Sequence, residues 1–138
     1  MQYLDKKTAL NLLGLESIDH SVVISDPGIK DCPMVYVSEE FTNQTGYNVA
    51  EILGKNCRFL QGPETDMNDV EHIRQAIKMR KSITIDILNY KKDGKKFWNR
   101  LRIKPLFGPD GKIIFFAGEQ NPIKIEDVRR YTFNKIIE

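Results

Sequence analysis

The sequence predicts an α+β fold: a five-stranded antiparallel sheet with short helices packed on one face. Three observations carry that prediction. Five segments rich in β-branched and aromatic residues are bounded by turn residues, two near the N-terminus and three in the C-terminal half. The last three follow one another through Asp93-Gly94 and Pro109-Asp110-Gly111, so they form a meander of hairpins. Between the second and third segments the chain carries helix caps and a helical period, but Gly54, Gly62 and Pro63 divide it into short pieces.

Each element follows in order. Leu4 to Leu15 has the apolar spacing of a short amphipathic helix. HSVVISDP (20–27) reads as a strand ending in an Asp-Pro turn, and PMVYVS (33–38) as its hairpin partner. Ser38 caps a helical turn, SEEFTNQTGY, and Val49 to Leu53 begins another that Gly54 stops. CRFLQ has room for one or two turns before Pro63, and a longer helix runs over about 68–79. The closing strands are KSITIDILNY (81–90), KFWNRLRIKP (96–105) and KIIFFAGEQ (112–120), and the tail reads as a helix. The organisation is therefore an N-terminal helical cap (1–19), a core (20–121) and a C-terminal helix (122–138).

Composition narrows the function. The 138 residues make one domain, with 41% hydrophobic and 29% charged residues and a net charge of +2. Basic and acidic residues are interspersed, so no footprint for nucleic acid or an anionic membrane stands out. No segment approaches the ~18 apolar residues of a membrane span. The N-terminus has charges within its apolar part and no cleavage site, so the two cysteines read as free thiols in a cytoplasmic protein.

Periodicity singles out a polar set on the buried side. By the alternation of strand side chains, Ile83, Ile85 and Ile87 share a face with Asn89. Phe97, Leu101 and Ile103 share one with Asn99, and Ile114, Phe116 and Gly118 lead to Gln120. Three carboxamides on one face indicate a polar ligand edge, because a buried amide without partners costs ~1–3 kcal/mol. On the long helix, Arg74 lies on the stripe of Val70, Ile73 and Ile77, and Arg58 and Gln61 face one way on the short turn. Two guanidinium groups and an amide converging on one point suit a phosphate. Each residue also has a plainer reading: Asn56 as a helix cap, Arg74 as a partner of Glu71, Asn89 and Asn99 as turn residues, and Cys57 as a small buried apolar group.

GKNCRFLQGPETD (54–66) resembles the signature of LOV domains, the flavin-binding blue-light sensors of the PAS superfamily. FTNQTGY, IRQAI, LNYKKDGKKFWNRLRIKP and FFAGEQ match the family pattern in order, from about Val22 to Gln120. The resemblance implies a PAS fold and a non-covalently bound FMN. It implies that Cys57 is the photoactive thiol, adding reversibly to flavin C4a under blue light, with Asn56 beside it. Arg58 and Arg74 would hold the phosphate, and Gln61 would read both tail and ring. Asn89 and Asn99 would bond the pyrimidine edge and Gln120 the O4 and N5 side. Leu60, Ile73, Ile77, Leu101, Ile103 and Phe116 would wall the ring, with Val23 and Ser25 on the first strand. Ser25 stands where many members carry threonine, and Cys32 where a flavin-side asparagine is common.

No enzyme reading competes well. His20 and His72 form no recognisable triad with Cys57, and neither a nicotinamide fingerprint nor metal-ligand spacing occurs. The alternatives are a flavin redox protein or a light-insensitive PAS ligand module. Leu88, Tyr90, Trp98, Ile113, Phe115 and Ala117 make an apolar outer sheet face. It is expected to be covered by the terminal helices and by a second copy in a homodimer. The signal would leave through Gln120 and the tail to an unidentified downstream protein.

Overall fold

In the computed structural model, which describes residues 2–130, a curved antiparallel sheet carries its short helices mainly on one face. The elements are α1 (Lys6–Leu13), β1 (Val22–Ser25), β2 (Met34–Val37), α2 (Glu39–Thr45), α3 (Val49–Ile52), a 3-10 turn (Cys57–Leu60) and α4 (Met67–Lys78). β3 (Ile83–Tyr90), β4 (Lys96–Phe107), β5 (Ile113–Glu119), β6 (Pro122–Ile123) and a 3-10 turn (Ile125–Asp127) complete them. The strand order is β2-β1-β5-β4-β3, so the two halves of the chain meet where β1 pairs with β5, Val23 opposite Gly118.

The local signals act as the sequence indicates. Ser38 Oγ caps α2 by accepting from Phe41 N at 3.3 Å. The same oxygen accepts from Val22 N at 2.9 Å and donates to His20 O at 3.0 Å, tying the helix start to β1. Asp66 caps α4 through Asn68 N at 2.8 Å. Gly62 is required for closeness: a Cβ there would lie 2.3 Å from Tyr90 Cε1. Thr65 Oγ1, which donates to Leu88 O at 2.7 Å, and Glu64 N, which donates to Tyr90 Oη at 2.9 Å, hold this loop along the edge of β3. Tyr90 therefore packs on the loop, whereas the sequence alone assigned it to the bare outer face.

The tail departs from the expected helix at its start. Asn121 turns the chain into β6, a sixth strand beside β4 with Trp98 opposite Ile123, because its backbone and side chain complete the edge of β4. Arg100 N donates to Asn121 O at 2.8 Å and Asn121 Nδ2 to Arg100 O at 3.0 Å. Residues 131–138 of the expected helix lie outside the described residues.

Packing divides into three clusters. On the outer face α1 lays Ala9, with Leu10, Leu12 and Leu13 around it, on Val22, Ile24, Leu106, Ala117 and Phe115. This is the cover that the apolar outer face called for at the N-terminal side. On the inner face, Val23, Met34, Phe41, Ile52 and Leu60 form one cluster, and Ala76 of α4 with Ile83 and Ile85 of β3 another. Between those two inner clusters the side chains do not meet, and the space left there is the candidate site.

Candidate functional site

A cavity of about 140 Å³ opens between the sheet and the turn at 57–60. Its walls include Val23, Ser25, Cys57, Leu60, Ile87, Leu101, Ile103 and Phe116, with Asn89, Gly118 and Gln120 at one end. Cys32, Asn56, Arg58, Gln61, Ile73 and Ile77 border both this cavity and an outer basin of about 810 Å³. Arg74 borders the basin only. An apolar chamber with a polar end thus lies next to a wider basin bordered by Arg58 and Arg74.

Two expected residues stand elsewhere than on the chamber wall. Arg74 is not on the core-facing side of α4, whose fully buried residues are Asp69 and Ala76. Its side chain is 65% exposed and pairs with Glu71, because its flank of the helix faces water. Asn99 is wholly buried behind the wall, bonded to Asn89 and Gln120. Phe97, which shares the strand face of Asn99 in the sequence pattern, and Ile114, which shares that of Gln120, lie beyond the cavity, and Ile114 is exposed.

The polar end has a fixed direction. Asn121 N donates to Asn99 Oδ1 at 2.9 Å, and a backbone N–H can only donate. Asn99 Nδ2 must then face away, and it donates to Asn89 Oδ1 at 3.0 Å and Gln120 Oε1 at 2.7 Å. Both neighbours thereby use their oxygens, leaving their amide nitrogens over. Among the described residues, Gln120 Nε2 is buried with no partner, and Asn89 Nδ2 reaches only the adjacent Leu88 O at 3.2 Å. An orphaned buried donor costs ~1–3 kcal/mol, so this end of the cavity is made for a ligand edge that accepts hydrogen bonds.

The thiol end is set by the turn at 57–60. Asn56 caps it, accepting from Arg58 N at 2.9 Å, and its Nδ2 donates to Asp31 O at 2.8 Å. The cap presents Cys57 at the first turn position, facing the cavity. Burial pushes the Cys57 thiol up to about 12, with Cys32 adding to the effect, so the sulfur is protonated and unreactive at rest. Arg58 pairs with Asp31 and holds that carboxyl below its usual range. Both partners are about half exposed, so an incoming anion could take the guanidinium at little cost.

Sequence reasoning missed a second polar system on the opposite side of the sheet. Asp86 is buried and takes a bidentate pair from Arg100, with Arg100 Nε 2.9 Å from Asp86 Oδ1. Arg129 N donates to Asp86 Oδ2 at 2.7 Å. Arg130 donates to Asp86 O and to the buried Asp69, each at 3.0 Å, and lies 5.6 Å from the Trp98 ring centre. In the sequence, Asp86 and Asp69 occupied ordinary polar positions of an alternating strand and a helix first turn. Only the return of the tail across β3 and α4 shows why they are buried. Among the described residues, no group of His, Cys, Asp and Glu could hold a metal ion. No described helix is long and apolar enough to cross a membrane.

Known proteins share this architecture. A PAS-domain family model matches residues 19–121. The chain is 48% identical over 106 residues to Phototropin-2 of Oryza sativa subsp. japonica, covering 77% of the chain but 12% of that protein. A solved light-oxygen-voltage domain studied with a flavin analogue superposes with a TM-score of 0.77 at 42% identity, covering 86% of this chain and 84% of that one. The LOV domain of the Erythrobacter litoralis EL346 blue-light activated histidine kinase gives 0.74 at 38% identity, covering 78% and 98% respectively. The chain spans a small part of the curated relative and nearly all of the solved sensor domain. On this family match, sequence identity and superposition, the chain belongs to the PAS-domain family as one of its LOV domains.

Proposed function

We propose that this domain is a blue-light sensor that holds a flavin, as FMN, in the chamber and uses Cys57 as its reactive thiol. The observation that carries the reading is the pairing of the Cys57 thiol on the wall with a cavity end whose free groups are donors. Gln120 Nε2 and Asn89 Nδ2 suit the carbonyl and imine acceptors of a flavin edge, and the apolar walls suit its ring. Arg58 and Arg74, beside the outer basin, are placed to share a phosphate after releasing Asp31 and Glu71.

A flavin, when bound and excited by blue light, supplies an electrophilic carbon and a basic nitrogen. Cys57 would be the side chain placed to react with it, while Gln120 and Asn89 would hold its edge. Burial keeps the Cys57 sulfur protonated in the dark. Gln120, whose amide can donate or accept, would turn to match the hydrogen-bonding state of the edge it holds. Asn99 Nδ2 then faces an amide nitrogen where it had an oxygen, and the strain passes to Asn121 and β6. We also propose that a second copy covers Leu88, Trp98 and Ile113, which α1 leaves half-buried. The fate of the signal beyond the tail belongs to a downstream protein.

The test is absorption of the flavin-loaded chain before and after blue light. Reversible bleaching in the wild type and none in Cys57→Ala is expected, with brighter flavin fluorescence in the variant. Bleaching that survives the substitution would return the domain to the flavin redox alternative. Absence of bleaching in the wild type would leave a light-insensitive ligand module.

A further inference from the structure

The cavity has a second thiol that the proposed light reaction does not use. Cys32 borders both the inner chamber, whose lining it shares with Cys57, and the outer basin, which gives it an open approach. The segments carrying the two cysteines are stapled side by side. Met34 N donates to Lys55 O and Gly54 N to Met34 O, each at 2.9 Å. On the other side of the pair, Asn56 Nδ2 donates to Asp31 O at 2.8 Å and Arg58 Nη1 to Asp31 Oδ2 at 2.8 Å. Cys32 thus falls between Asp31 and Met34 in the loop before β2, and Cys57 between Asn56 and Arg58 at the start of the 3-10 turn. The two thiols line one chamber, and Cys32 is near enough to Cys57 to add to the rise of its thiol, so the cross-link asks only that the two Cα atoms come within the ~4.4–6.8 Å that a disulfide spans. Asp31 and Cys32 both take a positive φ, 70° and 47°, a backbone rarely adopted by residues with a Cβ and maintained here by those staples.

We propose that Cys32 and Cys57 form a reversible disulfide in the presence of a small-molecule disulfide, so that thiol redox state decides whether the domain can respond to light. Cys32 reacts first, since it alone opens to the basin and its thiol, at about 11, ionises before that of Cys57. Its thiolate attacks the small disulfide and expels one thiolate, leaving a mixed disulfide. Cys57 then loses its proton to solvent, and its sulfur displaces the second small thiolate from Cys32. One Sγ–Sγ bond forms, two small thiols leave, and the two protein thiols are oxidised by two electrons as the reagent is reduced. The burial of both thiols makes the exchange slow near neutral pH and faster as pH rises. The effect on light sensing rests on the proposed role of Cys57, whereas the disulfide itself does not.

The experiment treats the full chain with oxidised glutathione at alkaline pH, alkylates the remaining thiols, and reads intact mass and a peptide map. A loss of about two mass units, no alkylation and a peptide joining Cys32 to Cys57 are expected, reversed by dithiothreitol. Cys32→Ser should leave Cys57 alkylated or bearing a glutathione. Two alkylated thiols in the wild type, or a mixed disulfide that never resolves, would overturn the proposal. Bleaching is recorded on the same samples: a reduced chain that fails to bleach refutes the light reading, while the peptide map still decides the disulfide.

Discussion

Asn99 Nδ2 donates to Gln120 Oε1 at 2.7 Å, and Asn99 cannot turn over, because its own oxygen accepts the backbone N–H of Asn121. The amide of Gln120 is thereby oriented from behind, by the first residue of the tail. The cavity and the chain leaving the core share one hydrogen-bonded unit of four residues: Asn89, Asn99, Gln120 and Asn121. Disturbing Gln120 from the cavity side must be felt at Asn121.

Two substitutions separate sensing from chemistry. Gln120→Leu removes the amide but keeps the thiol, so the loaded variant should still bleach, with a shifted band. It should lose most of the light-induced change in hydrogen exchange across residues 121–130. A full exchange response in that variant would mean that the signal leaves by another route. Asn99→Leu deprives the Asn121 N–H of its acceptor in a buried place and should cost ~1–3 kcal/mol in denaturant unfolding.

Arg58 and Arg74 are each paired with an exposed carboxylate, so neither is structurally indispensable. Replacing either by alanine should leave riboflavin binding within about twofold and weaken FMN by roughly 1.5–3 kcal/mol. Isothermal titration with both ligands checks this. Equal losses for the two flavins would show that neither guanidinium reads the phosphate.

The cysteines set a pH window. Their ordinary value of 9.0 rises to about 11 for Cys32 and about 12 for Cys57, so the folded chain holds protons that the unfolded chain has released. Their contribution to stability is fully present below about pH 9 and is lost as pH climbs through 11 and 12. Chemical unfolding of the wild type should weaken across that window, by no more than about 1.4 kcal/mol per pH unit for each thiol. The double variant Cys32→Ser, Cys57→Ser should weaken less, since it lacks both buried thiols.

Arg130 ties the tail to both α4 and β3 through Asp69 and the Asp86 carbonyl. Its side chain is 41% exposed, which reduces the effect below that of a wholly buried pair. Arg130→Ala is expected to lower stability by roughly 1–3 kcal/mol and to speed amide exchange in residues 122–129. Unchanged exchange would show that β6 and the Asp86–Arg129 bond hold the tail without it.

Much of the site was legible in the sequence because alternation along a strand is a local rule. Asn89 and Gln120 reach the cavity as period two requires, and Leu101, Ile103 and Phe116 wall it. The turn at 57–60 was equally plain, since Gly54, the Asn56 cap, Gly62 and Pro63 fix its length within thirteen residues. Helix faces were read less well. Arg74 and Val70 looked core-facing, but a 3.6-residue period leaves the flank of the stripe ambiguous by a fraction of a turn, enough to put a guanidinium in water.

What the sequence by itself determined was therefore the order of elements, the cavity-facing alternation and the chemistry of the thiol turn, all set by backbone sterics, caps and burial within short stretches. What only the tertiary structure decided were relations between distant segments. These include the direction of the Asn99 amide, fixed by a residue 22 positions away, and the burial of Asp86 under a tail 43 positions on. They include too the placing of Cys32 alongside Cys57. Such contacts carry no period and no local signal, because a hydrogen bond or a shared cavity depends on which surfaces the folded chain brings within a few ångströms.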